Sequence, residues 1–234
     1  MMHGKSWLNG EVLLRKWMAA PANSNPASGT PDTTTIKMDS WVLTFGRAKS
    51  VYDKILSDKI FVNEKAQERI VNILRRKGKF GHYWDYVTFD FVSAPTIDID
   101  RNGEFVNERY VGSQSDEPDD MVAALARFTL RVTIKGAVCG ARVVYINEVG
   151  VYAVDSYDFN DVPVSRLNPK TWFSQPLGFW NPKTGYVGRL PRGDYVSNAT
   201  FQEYRKKTGH GGDFMVYSDI KVIKLQKSEF FLAP

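Results

Sequence analysis

Phe128-Thr129-Leu130-Arg131-Val132-Thr133-Ile134 alternates apolar and polar residues without a break. Past Gly136–Gly140 the chain resumes a long strand-like run from Arg142 to about Val154. A period of two puts Phe128, Leu130, Val132 and Ile134 on one face of a half-buried strand. Upstream, Tyr83 to Val92 reads the same way: Tyr83, Asp85, Val87, Phe89 and Phe91 share one face, and Trp84, Tyr86, Thr88 and Asp90 share the other. Asn102-Gly103, set between two short alternating runs, predicts a hairpin. Downstream comes a stretch rich in Pro and Gly from Pro163 to Gly193. Asn198 then caps a helix ending at Gly209, and Asp213 to Leu225 returns as a final strand.

The first third of the chain has helical period instead. Ser6 to Ala20 places Trp7, Leu14, Trp17 and Met18 largely on one face. Pro21 to Thr35 collects Pro, Ala, Asn, Ser, Gly and Thr, the composition of a flexible connector or an ordered wrap without its own core. Asp39 suits the N-cap of a helix reaching Leu56, with Trp41, Phe45, Ala48, Tyr52 and Ile55 as its apolar stripe. Asn63 caps a second helix carrying Ala66, Ile70 and Leu74, which Gly78 stops, and the two read as an antiparallel pair. Pro118 to Ala126 predicts a further short helix. The expected class is α+β: a helical N-terminal region, 1–80, with a flexible 21–35 segment, packed on an antiparallel β-rich, half-barrel-like domain, 81–234.

The 234 residues are 43% hydrophobic and 24% charged, an ordinary globular balance, with a high aromatic share of 13% that suits pleated surfaces. The formal charge of +5 is spread thinly. Its tight clusters, Arg75-Arg76-Lys77 and Arg205-Lys206-Lys207, fall where helix C-termini favour cations, so no nucleic-acid stripe is predicted. The single cysteine, Cys139, excludes an internal disulfide and a thiolate metal site, and its apolar strand context predicts a buried thiol. No run approaches transmembrane length and no signal-peptide pattern opens the chain. The expectation is a protein made in the cytoplasm without a cleavable signal.

The chemistry-bearing stretch is Asp155-Ser156-Tyr157-Asp158-Phe159-Asn160. In an extended segment Asp155 and Tyr157 point to one face and Asp158 to the other, so both acids can meet one ligand only if the strand turns near Tyr157. Asp and Asn form such turns through local side-chain hydrogen bonds. The same residues equally describe pure architecture, acids capping backbone N–H groups and a tyrosine covering the core. Gly209-His210-Gly211-Gly212 reads either as an anion-binding nest or as a helix stop followed by a strand start.

The Asp-x-Tyr-Asp-Phe-Asn stretch resembles the active-site segment of colicin M and related bacteriocins, and Gly211 to Ile223 resembles their final strand. The chain is also similar, over nearly its whole length, to uncharacterised bacterial proteins found beside type VI secretion genes. That likeness rests on Trp41-Val42-Leu43, Gly150 to Asn160, Leu177 to Asn181 and Gly211-Gly212-Asp213-Phe214. The bacteriocin resemblance implies hydrolysis of lipid II between undecaprenyl and pyrophosphate, with Mg2+ held by Asp155 and Asp158 as carboxylate ligands. It further implies Tyr157 on a phosphate oxygen or the attacking water, and Arg166 as a phosphate clamp displaced from the bacteriocin position. The His-Arg pair of those toxins is absent, which leaves His210 as the nearby candidate acid or base. The implied setting is a secreted antibacterial effector acting in the periplasm of a target cell, with an immunity protein and a secretion-apparatus partner. A non-catalytic adaptor of the same secretion system on the same fold is the alternative.

Overall fold

β3 (Phe128–Cys139) and β4 (Val143–Tyr157) pair antiparallel along almost their full length, from Thr129 opposite Val154 to Cys139 opposite Val143. The computed structural model describes residues 7–113, 116, 119–140, 142–160, 176–180, 187–188 and 194–234. Around that central pair the six-stranded sheet has the order β1-β3-β4-β8, with β2 also on β3 and β9 also on β4. Here β1 is Tyr86–Asp90, β2 Asn107–Val111, β8 Phe214–Tyr217 and β9 Lys221–Leu232. A separate three-stranded sheet joins β5 (Pro176–Trp180) to β6 (Val187–Gly188) and β7 (Asp194–Ser197). With helices α1 (Leu8–Ala19), α2 (Gly46–Ser57), α3 (Glu64–Arg76), α4 (Thr96–Arg101), α5 (Asp120–Leu125) and α6 (Asn198–Thr208), the protein is α+β, its longer N-terminal helices preceding an antiparallel sheet.

The chain divides into two compact units that interleave along the sequence, where a sequential division at residue 80 was expected. One comprises Met1–Thr35, Gly112–Phe128 and Asp155–Val216; the other comprises Ile36–Val111, Thr129–Val154 and Tyr217–Pro234. In the second unit Ala48, Tyr52 and Ile55 of α2 are buried, as are Ala66, Ile70, Val71, Ile73 and Leu74 of α3. The inner sheet face contributes Leu130, Val132, Ile134, Val138 and Val144. The α3 boundaries follow from local chemistry. Asn63 Oδ1 accepts the Ala66 N–H at 3.0 Å, and Gly78, at φ +62°, closes the helix with Gly78 N–H to Arg75 O and Lys79 N–H to Leu74 O.

Other expectations give way to what the fold does locally. Asp39 caps no helix: a 3-10 turn covers Val42–Thr44, α2 begins at Gly46, and the Asp39 carboxylate pairs with Lys221. Asn102-Gly103 is not a hairpin turn but the C-terminus of α4. Gly103, at φ +63°, donates to Asp100 O, and Glu104 N–H reaches Ile99 O. The six-residue run before it is too short for alternation to decide, and Pro95 starts a helical turn as readily as it bounds a strand. Cys139 is exposed, because it falls on the outer face at the end of β3 while Val138 takes the inner one. The expected final strand is two strands, β8 and β9, interrupted at Ser218–Ile220.

The first unit holds Pro21–Thr35, read from composition as flexible, as an ordered wrap. Ala22 N–H donates to Gly209 O at 2.9 Å, Asp213 N–H to Asn23 O at 3.0 Å and Asp32 N–H to Met215 O at 2.8 Å. Buried Asp32 accepts the Thr34 and Thr35 N–H groups and the Lys16 ammonium. Desolvation pushes its carboxyl up, but these hydrogen bonds and the Lys16 charge outweigh it and leave its pKa below the usual carboxylate value.

Candidate functional site

β4 carries its alternation to Tyr157 and stops there, so Asp155 and Tyr157 share one side while Ser156 points outward. The chain then turns: Asp158 Oδ1 accepts the Asn160 N–H at 3.2 Å, a local Asx bond. The strand therefore ends where the two carboxylates need it to end if they are to act together. Tyr157 is buried and stacks on Phe214 at 5.3 Å between ring centroids, with Phe159 edge-on at 5.5 Å. Phe159 in turn stacks on Phe201 at 4.0 Å and receives the edge of Trp17 at 4.8 Å. These aromatics form the floor beneath the turn. Tyr157 belongs to that floor.

A polar knot ties the turn to the floor. Fully buried Asp213 accepts the Trp17 indole N–H at 2.8 Å and the Asn160 amide N–H at 2.7 Å, and pairs with Arg205 Nη2. Arg205 also donates Nη1 to Asn160 Oδ1 at 2.9 Å and Nε to Gly211 O at 2.6 Å, with its guanidinium 5.3 Å from the Trp17 ring centroid. Asn160 donates a further hydrogen bond to Ser24 O at 3.0 Å. Each buried polar atom named here has a partner, the condition for burying such a network at tolerable cost.

Three acids share the field of this corner. Burial pushes the Asp155 carboxyl well above the usual carboxylate range; the neighbouring Asp158 charge adds to the rise and the Ser156 N–H bond opposes it. Burial also raises Asp213, opposed by Trp17, Asn160 and Arg205, with the Asp158 charge again adding to the rise. The Tyr157 phenol is raised by burial first and by Asp155 second. A desolvated carboxylate beside a second carboxylate is a place where a proton or a hard cation lowers the energy. Asp155 and Asp158 therefore fit Mg2+ in donor chemistry, since Mg2+ takes one or two protein carboxylates and keeps its waters. Among the described residues no group of three or more His, Cys, Asp or Glu side chains converges to hold a metal.

Of the residues expected to carry chemistry, Asp155 and Asp158 come into each other's field and Tyr157 lies below them. Arg166 lies outside the described residues. His210 is exposed, with Nδ1 3.3 Å from Ala19 O and its N–H on the Thr208 hydroxyl. The adjacent glycines form no anion nest, because Gly211 N–H donates to Ala20 O and Gly212 N–H to Trp17 O. Gly211 instead lets the outer edge of the Trp17 indole approach the backbone closely: a Cβ there would stand 2.5 Å from the ring. Sequence reading missed Arg205 and Asp213 as a pair. The available signal was Asp213 itself, a single acid between Gly-Gly and Phe-Met-Val-Tyr, which once buried needs a cation or donors.

The chain matches a family of unknown function (DUF6402) over residues 2–188 and 192–232, and it belongs to that family. No curated protein and no solved structure matches it.

Proposed function

We propose that this chain hydrolyses a lipid-linked cell-wall pyrophosphate of the lipid II type, with Asp155 and Asp158 as the working carboxylates. The observation that supports the reading is the electrostatics of that pair: Asp155 is desolvated and faces the charge of Asp158. Cation-assisted phosphate chemistry uses such an arrangement. Bound Mg2+ would supply charge neutralisation at the pyrophosphate oxygens. Asp155 and Asp158 would hold it, and whichever of them keeps a free oxygen would orient a water toward the scissile bond. Tyr157 positions Asp155 through the strand they share, packed against Phe159 and Phe214. Asn160, Arg205 and Asp213 fix the turn that presents Asp158. The setting suited to this chemistry is an antibacterial effector, delivered by a secretion apparatus to a target periplasm and restrained at home by an immunity partner.

A second reading, a non-catalytic adaptor on the same fold, is favoured by one observation. Tyr157, Asp158 and Asn160 all have structural partners, so the motif has a folding role whether or not it reacts. Purified protein incubated with lipid II and Mg2+ and assayed for released undecaprenol separates the two. Hydrolysis should appear with the wild type and fall by orders of magnitude in Asp155→Asn and Asp158→Asn, each still folded. Absence of turnover by the wild type, with the same protein non-lytic when directed to the periplasm, gives the adaptor reading.

A further inference from the structure

The outer face of the sheet in the second unit is apolar where a solvated sheet is ordinarily polar. Strand register lines up Tyr86, Cys139, Val143 and Leu232 as one row across β1, β3, β4 and β9, and Thr88, Ala137, Tyr145 and Phe230 as the next. Facing residues on neighbouring strands lie on the same side, so these residues share one face, with the small Ala137 buried beneath its larger neighbours. Tyr86 is 64% exposed, Phe230 62% and Leu232 68%. Tyr145 and Phe230 place their rings 5.9 Å apart. Just before β1, Trp84 stands 90% exposed with its ring edge-on to that of Tyr83 at 4.8 Å. A contiguous exposed cluster of this kind marks an interaction surface.

Charge decides what it meets. In the third row, Asp90, Lys135, Glu148 and Lys224, Lys135 bridges both Asp90 and Glu148 and Lys224 stands across from Glu148, so two cations balance two acids. Arg142, in the turn between β3 and β4, and Lys224 and Lys227 on β9 have no ion pair among the described residues. At the Trp84 end the Asp85 carboxylate accepts the His82 N–H. With Lys224 balancing Glu148, Arg142 and Lys227 stand against the single Asp85 carboxylate, and the margin carries a net excess of one cation. The same lysines on the outer strand β9 disfavour pairing with a second copy, which would bring like charges together. Exposed Trp and Tyr beside apolar side chains and free Lys and Arg are the composition of a bilayer interface, where ring edges sit among headgroups and cations meet anionic lipid. No helix among the described residues is long and apolar enough to cross a membrane, so attachment would be peripheral.

We propose that this face of the β1-β3-β4-β9 sheet, from Trp84 to Leu232, docks on an anionic lipid surface. It shares no residue with the Asp155 corner, and its test reads binding and not turnover. Cys139, the chain's single cysteine, lies in the first row and takes an environment-sensitive fluorophore at the surface in question. The full chain, labelled and unlabelled, is mixed with vesicles of phosphatidylcholine alone or with a large fraction of phosphatidylglycerol. Expected is co-sedimentation with the anionic vesicles, weakened by added salt, together with a blue shift of the label. Trp84→Ser with Phe230→Ser, and separately Arg142→Glu, should each weaken binding by about tenfold or more while melting as the wild type does. Equal binding to neutral vesicles, no binding to either, or a wild-type dimer that these substitutions dissociate would each overturn it, the last in favour of a protein interface.

Discussion

Asp155 is held in a state that disfavours its charge, and that has a signed consequence for stability. Its folded pKa lies above the unfolded value of about 3.9, so the folded state binds its proton more tightly. The stabilising contribution is complete below the unfolded value and is lost as pH rises through the raised folded pKa, above which the ionised group is a burden on the fold. Asp155→Asn should accordingly melt higher than the wild type above that folded pKa and level with it near about pH 3, read by thermal melts across pH. If Asp155 and Asp158 bind Mg2+, the ion should raise the wild-type Tm and leave that of the Asp155→Asn protein unchanged, a readout independent of turnover. Asp213 behaves differently because its partners are built in. Its carboxyl is raised even though Arg205, Trp17 and Asn160 all favour its charge, which means desolvation, helped by the Asp158 charge, exceeds their combined pull. Removing the charge still strands the Arg205 guanidinium among aromatic rings. Asp213→Asn should cost about 3 kcal/mol in urea unfolding, at the low end for a broken buried pair.

Glycine placement shows how an element's limits are set by distant parts of the chain. Gly209 ends α6 at φ +71° with open space where a methyl would go, whereas Gly211, at φ +96°, would drive that methyl into the Trp17 ring. Gly209→Ala should therefore cost about 1 kcal/mol through the backbone alone. Gly211→Ala should cost more by about 1–3 kcal/mol, the added penalty of overpacking, and denaturant midpoints with unchanged slope would show the difference. The same contrast explains which elements were legible. The α3 cap and stop were readable because Asn63 and Gly78 act on residues three and four away. The wrap at Pro21–Thr35 was not, because its backbone is satisfied by residues 209–215, far along the chain. Asn102-Gly103 has one sequence and two uses, hairpin turn or helix stop, and only the preceding turn of α4 selects between them. At the corner itself the sequence located Asp155 and Asp158, and the burial of Tyr157 as a scaffold residue was one of the readings weighed. The Arg205–Asp213 pair was hidden because a helix-end arginine ordinarily faces water.

The course of the chain through its two units sets what can be cut. Residues Ile36–Val111 belong with Thr129–Val154 and Tyr217–Pro234, so the helices α2 and α3 and the strands β3 and β4 share one core. Its buried side chains include Val42, Ala48, Ile55, Ile70 and Leu74 from before residue 80 and Leu130, Val132, Ile134 and Val151 from after it. The other unit likewise needs α1, whose Leu13 and Trp17 are fully buried and whose Gly10 admits Ala123 within van der Waals reach. Alternation and helical period report which face of an element is apolar, not which other element covers it, and a boundary at residue 80 follows from the change of period alone. A fragment spanning residues 81–234 keeps the strands but loses the α2 and α3 side of one core and the helix that closes the other. Each lost large side chain exposes its partners at about 1.5–3 kcal/mol apiece, and the several lost together exceed the roughly 5–15 kcal/mol typical of a whole domain. The fragment should be insoluble or lack a cooperative melt, with rapid limited proteolysis throughout. The intact chain should resist cleavage between residues 21 and 35, where the backbone is bridged to 209–215. A fragment that melts cooperatively and keeps its near-ultraviolet signal would mean that the strands carry their own core, and the interleaved division would be wrong.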